Sequence, residues 1–308
     1  MTHRLVRRWL ESGALELSRP GRGHTPERWR RLAALTEADI AAGRLAEAHC
    51  DAVAILDELS GPEMQPDQWW GVWTAESADS VVLADVIGER AVLHGTQRWC
   101  SGADWCTHAL VTARMGTREP GLFAVDLSQP GIRTLPDTWR TAGMAGLDTH
   151  SMQFDAAVAV RVGGPGDYLA RPGYWHGAAG VAACWLGGAR AVAAPLFSRA
   201  ARESADPYLR AHREAVAAVL AAAEATLIEA AAHIDADPSD RAGAEMWARR
   251  SRAEAQAAVE ETIRRTGEAL GAQGRRHDAA HVSRVAALAV YVSQSHAGRD
   301  LELVGATA

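Results

Sequence analysis

Arg98-Trp99-Cys100-Ser101-Gly102-Ala103 lies at the centre of the stretch Ala91–Met115, and its residue types suit the close approach of a flat ligand. The tryptophan supplies an aromatic cover, the serine a hydroxyl, and Gly-Ala lets the backbone come near without a bulky side chain. A buried Trp followed by an ordinary turn fits the same pattern, so both readings stay open at this level. Upstream, Gln68–Glu76 (QWWGVWTAE) places three tryptophans in five positions. Such density reads as a sheet packed against a neighbouring domain or, second, as the wall of a cofactor site. Cys100, Cys106, His94 and His108 invite a metal reading, but Cys-x5-Cys is not a zinc spacing and adjacent strand positions point to opposite faces. No metal is expected there. His277 and His281 lie four apart without the Glu or third His of a zinc-protease pattern and read as capping or surface residues. Gly163-Gly164-Pro165-Gly166 lacks the Lys-Ser/Thr of a phosphate loop and reads as a hinge.

The elements around these residues fall into three segments. Over 1–67, Thr25-Pro26-Glu27 reads as a helix start, and apolar positions from Leu32 to Leu59 recur at helical spacing, with a break at Gly43. Over 68–165, short β-branched and apolar runs separated by Gly, Asp and Pro predict an antiparallel sheet or small barrel. Over 166–308 the chain reads as four helices: Gly173–Ala194, Pro207–Ile234, Ser239–Leu270 capped by Ser239 or Asp240 and stopped at Gly271–Gly274, and Asp278–His296. The expected class is α+β: N-terminal helices, a central antiparallel β-module and a C-terminal four-helix bundle.

Composition narrows the function. A net charge of −6 argues against a nucleic-acid partner, which a basic face would mark. The chain contains no Lys, so its arginines are weak evidence for phosphate binding at any one position. No run reads as a membrane span, Met1–Leu10 lacks the apolar core of a signal peptide, and the four cysteines need no disulfide framework. A cytoplasmic protein is expected, as a homo-oligomer or a hetero-oligomer with a homologue, because module faces would otherwise expose apolar surface.

With helices, β-module and bundle in that order, the chain resembles the acyl-CoA dehydrogenase flavoprotein superfamily. The residues carrying the resemblance are Leu93-x-Gly95-x-x-x-Trp99-x-Ser101-Gly102-Ala103, Trp73-Thr74-Ala75-Glu76, Gly180–Ala189 and Ser295-His296-x-x-Arg299-Asp300-Leu301. The resemblance implies an FAD between β-module and bundle, with Trp99 flanking the ring, Ser101 bonding near its redox-active edge, and Trp73, Ala75 and Cys100 in the same cofactor-binding set. It implies that an acyl thioester loses an α-proton to a carboxylate and a β-hydride to the flavin.

The departures carry information too. The region before the β-module is shorter than the family's, and Ala75 stands where a flavin-contacting Thr is usual. The Arg-x-x-Phe-Gly segment that helps hold the ADP half has no clear counterpart; Asp206–Arg213 (DPYLRAHR) takes its place. The usual catalytic Glu-Gly-Thr is absent, leaving Asp300 or His296 as the base. Three functions follow: an FAD-dependent oxidoreductase acting on an acyl thioester or related biosynthetic intermediate; a non-catalytic or half-catalytic subunit paired with a full-length homologue; and a flavin monooxygenase or repurposed flavin-free pocket.

Overall fold

The computed structural model describes residues 2–74, 81–116, 120–135, 143–202 and 206–293, with the backbone alone at 272–277. Helices α1 (Thr2–Glu11), α2 (Thr25–Ala38) and α3 (Ile40–Glu58) precede strands β1 (Trp70–Trp73), β2 (Val81–Ile87), β3 (Arg90–Cys100), β4 (His108–Ala113), β5 (Gly121–Asp126), β6 (Ile132–Leu135) and β7 (His150–Val162). Then follow α4 (Asp167–Ala170), α5 (Gly173–Ala200), α6 (Pro207–Ala236), α7 (Arg241–His277) and α8 (Ala279–Ser293). The α+β class and its order of modules are as expected.

Contacts divide the chain into two units, and the cut passes through α3 and α5, not between the segments 1–67, 68–165 and 166–308. The first unit holds α1, the C-terminal part of α3 from Leu45, and the sheet. The second holds α2, the start of α3, and the helices from Trp175 on.

In the first unit the strand order is β1-β4-β5-β7-β3-β2, with β6 also on β7. Every pair is antiparallel but one: β1 runs parallel to β4, Trp70 opposite His108, which corrects the all-antiparallel expectation. After β1 the chain crosses to the far edge to form the β2–β3 hairpin and returns in the same direction. A parallel bridge from Leu83 to Arg114, with Ala84 N–H on the Arg114 carbonyl at 2.8 Å, brings β2 round to the end of β4 and curls the sheet into a small barrel. Ala52, Ile55 and Leu56 of α3 pack on Trp70, Leu110, Leu122, Ala124 and Val162. Alternate positions Val111, Phe123 and Val125 are buried as well. Both faces of β4 and β5 are therefore dry, as their continuous apolar sequence requires.

In the second unit, carboxylates start the helices. Asp206 accepts from Tyr208 N–H at 2.9 Å at the start of α6, and Asp240 from Gly243 N–H at 2.9 Å at the start of α7, which settles the choice left between Ser239 and Asp240. Helix α2 departs from expectation. Thr25 is its first helical residue, and the capping carboxylate comes from Asp235 at the end of α6. Asp235 accepts from Thr25 N–H at 3.0 Å, Thr25 Oγ1 at 2.6 Å and Gly23 N–H at 3.0 Å. An anion at a helix N-terminus is favourable, and here it also ties α2 to α6. Gly271, at φ 60°, interrupts α7 at the expected stop. His281 is buried, 3% exposed, where a surface or capping role was expected.

Among the described residues, two helices are long and apolar enough, by length and composition, to cross a membrane, contrary to the expectation of none: α5, with 72% of its apolar window buried, and α6, with 33%. Alanine supplies most of that apolarity, which a scan for larger residues passes over. The buried α5 is the core helix of its unit.

Candidate functional site

The end of β3 is where the first unit departs most from regular structure. Register shifts fall between Leu93 and Gly95 and between Gln97 and Cys100. Gly95 has φ 125°, and a Cβ there would lie 2.1 Å from the Val81 carbonyl oxygen. At the second irregularity Trp99 takes φ 59°, a left-handed conformation that costs a bulky residue about 1–3 kcal/mol. The result is a tryptophan 39% exposed between the buried Gln97 and Cys100. The Arg98 guanidinium lies 5.8 Å from its ring centroid. Such distortions concentrate beside functional sites because they re-aim side chains that regular pleating would bury.

The turn that follows is fixed from below. Gly102 has φ 74°, and a Cβ there would sit 3.0 Å from Cys106 Sγ and 3.2 Å from Leu45 Cδ2. Gly102 N–H donates to the Leu147 carbonyl at 2.7 Å and Ala103 N–H to the Asp148 carbonyl at 3.2 Å, joining the turn to the segment entering β7. Across that seam the hydroxyls of Ser101 and Thr149 are 3.2 Å apart, leaving each with further hydrogen-bonding capacity. The indole N–H of Trp73, a residue only 2% exposed, donates to the Ser101 carbonyl at 3.1 Å.

Behind this turn lies a buried polar chain. Trp70 N–H donates to His49 Nδ1 at 3.2 Å, its indole N–H donates to Gln68 Oε1 at 3.1 Å, and its ring stacks on His108 at 4.9 Å. Burial lowers the His49 pKa from 6.5 to about 4. The folded protein therefore binds fewer protons than the unfolded chain between these values, so this contribution to stability is intact above pH 6.5 and lost as pH falls toward 4. We expect about 2–4 kcal/mol of acid-dependent destabilisation from this group. Urea unfolding at pH 7 and at pH 4.5 measures it. The His49→Gln variant should show a flatter pH dependence, and an unchanged slope would remove His49 as the cause.

The structure brings Trp99, Ser101 and Trp73 to one locality, with distinct parts: Trp99 is presented outward, Ser101 offers a hydroxyl, and Trp73 holds the Ser101 backbone from inside. Cys100 is fully buried, its thiol toward the Gln97 carbonyl at 3.4 Å. Ala75, His296 and Asp300 lie outside the described residues. The sequence marks Thr138–Thr149 as a long connection facing the site or a subunit contact, but singles out none of Thr149, Asp148, His150 and Asp104. Thr149 ends that Gly- and Thr-rich run, and His150, the first residue of β7, lies just beyond it.

Residues 74–157 match the family model of the acyl-CoA dehydrogenase middle domain. The FMN-bound structure of TdsC from Paenibacillus sp. A11-2 superposes with a TM-score of 0.81 at 20% identity, covering 91% of this chain and 82% of that one. The chain has the acyl-CoA dehydrogenase-like fold, and residues 74–157 carry that family's middle domain. Another structure of this acyl-CoA dehydrogenase fold, KijD3 in complex with FMN and a dTDP-linked amino-keto sugar, matches with a TM-score of 0.80 at 16% identity, covering 98% of this chain and 85% of that one. The methanesulfinate monooxygenase MsuC from Pseudomonas fluorescens matches with a TM-score of 0.74 at 17% identity, covering 99% and 94%. At these identities the likeness is one of fold. No curated protein matches the sequence.

Proposed function

We propose that this chain is a flavin-dependent oxidoreductase and, within that class, a monooxygenase that holds FMN. The observation carrying the reading is the end of β3: a partly exposed Trp99 in a left-handed conformation beside a Ser101–Thr149 hydroxyl pair. These residues fit a flavin. The aromatic ring would cover the heterocycle and the hydroxyls would bond its polar edge, while Gly102, at positive φ and packed on Cys106 and Leu45, sets the turn that presents them. A bound flavin supplies the redox chemistry and, once reduced, the activation of dioxygen. The chain's own part is to orient and shield it: Trp73 fixes the Ser101 carbonyl, and the Gly102–Leu147 bond holds the turn against the start of β7.

FMN is favoured over the FAD expected from sequence for two reasons. The chain shows no clear counterpart of the segment that binds an ADP half, and the TdsC and KijD3 structures contain FMN. Monooxygenation is favoured over thioester dehydrogenation because the family's Glu-Gly-Thr base is absent, and because MsuC and TdsC are described as monooxygenases, the latter of dibenzothiophene. The substrate would then be a small organic molecule. An acyl-thioester dehydrogenase using Asp300 or His296 as base is the second reading. A cytoplasmic setting would keep the four free, buried cysteines reduced.

The test is the visible spectrum of the purified chain, expressed alone and titrated with FMN and then FAD. Near-stoichiometric uptake of FMN, tighter than FAD, is expected. A protein that remains colourless would end the reading and leave the non-catalytic subunit, to be sought with its homologous partner.

A further inference from the structure

Beside the Ser101 turn, but distinct from its hydroxyl pair, three side chains converge from separate parts of the first unit. Asp104 follows the turn after β3, Asp148 precedes β7, and His150 opens it. One donor atom from each lies within 4.8 Å of the other two. His150 Nε2 is 3.0 Å from Asp148 Oδ1 and 3.9 Å from Asp104 Oδ2. Asp104 is oriented from its other side, where Thr134 Oγ1 donates to Oδ1 at 3.0 Å. The Asp148 backbone is held by its carbonyl bond to Ala103 N–H. Asp104 and the Asp148 backbone are thus each positioned by a second contact, as metal ligands commonly are.

The arrangement leaves polar capacity unused. Asp148 Oδ2 is shut off from solvent and, among the described residues, has no hydrogen-bond partner. A buried carboxylate oxygen without a hydrogen-bond partner is costly. We propose that Asp104, Asp148 and His150 form a binding site for a divalent transition metal. One imidazole with two carboxylates is a donor set suited to Mn2+, Fe2+ or Zn2+ rather than to a soft thiophilic ion. Asp104 is half exposed, so water completes the coordination and the ion exchanges with solvent. The site differs from the Cys100, Cys106, His94 and His108 set considered from sequence, and it does not depend on the flavin reading.

Titration of the chain with Mn2+, followed by the loss of the free-ion electron paramagnetic resonance signal, tests this without any enzymatic assay. One saturable equivalent is expected. Asp104→Asn and His150→Gln should each weaken binding by about tenfold or more, while the exposed Asp85→Asn on β2 should leave it unchanged. Asp104 lies at the rim, so its variant tests the site without disturbing the core. Absence of saturable binding up to millimolar Mn2+, or equal binding by parent and Asp104→Asn, would overturn the assignment.

Discussion

Gly187→Ala is expected to destabilise the second unit by about 3 kcal/mol or more, and to leave part of the protein insoluble. A Cβ at Gly187 would lie 2.0 Å from the Ala33 carbonyl oxygen, 2.7 Å from its carbon and 2.9 Å from its Cα. All three are backbone atoms of α2, so no side chain can rotate away. Relief requires α2 and α5 to separate, which loosens the packing of Trp185, Leu186 and Leu32, each 2% exposed or less. Two neighbouring glycines grade the effect. At Gly188 the added carbon meets the tip of Leu288 at 2.7 Å, a flexible group that can shift, so a loss of about 1–2 kcal/mol is expected. At Gly180 the nearest atom is Trp29 Nε1 at 3.3 Å, and the gain in helix propensity offsets much of the crowding. Thermal unfolding should rank the variants Gly180→Ala, Gly188→Ala, Gly187→Ala in decreasing stability. If Gly187→Ala were as stable as Gly180→Ala, the close approach of α2 and α5 would be wrong.

The same contrast between local and distant causes decides what the sequence revealed. Asp206, Asp240 and Gly271 act on the chain within a few residues of themselves, and their helix ends were legible. Asp235 caps a helix 210 residues away in sequence, so Thr25-Pro26 signalled the start of α2 but could not show what satisfies it. The β-module was legible from its short β-branched runs. The parallel pairing of β1 with β4 was not, because Trp70 and His108 meet only after a hairpin has crossed the sheet. At the candidate site, Trp-x-Ser-Gly-Ala singled out this turn through residue types alone. The left-handed backbone of Trp99 and the Ser101–Thr149 contact depend on a bulge and on a strand about fifty residues later, so no local pattern encodes them. The two units cut through α3 and α5 for a related reason. A helix reads as one periodic element, yet its two ends can pack in different cores.

Replacing Trp99 should separate its role in binding from its role in folding. Trp99→Ala is expected to keep the sheet and to weaken FMN binding by roughly 10- to 100-fold, the size of about 1–3 kcal/mol of aromatic stacking. Trp99→Phe should recover much of that affinity, because a face remains to cover the ligand. The informative variant is Trp99→Gly. At φ 59° alanine keeps the left-handed strain while glycine does not, so the glycine variant should be more stable than the alanine variant by about 1 kcal/mol. Affinity has no reason to follow that gain, since both lack the ring. Stability and binding should therefore dissociate: glycine above alanine in urea unfolding, the two alike in flavin titration, and phenylalanine above both in the titration alone. Equal flavin affinity in Trp99→Ala and the parent would mean that the exposed ring serves another ligand, or none. The strain at Trp99 would then be held by the surrounding fold alone, because a strained residue persists wherever its neighbours over-determine its position.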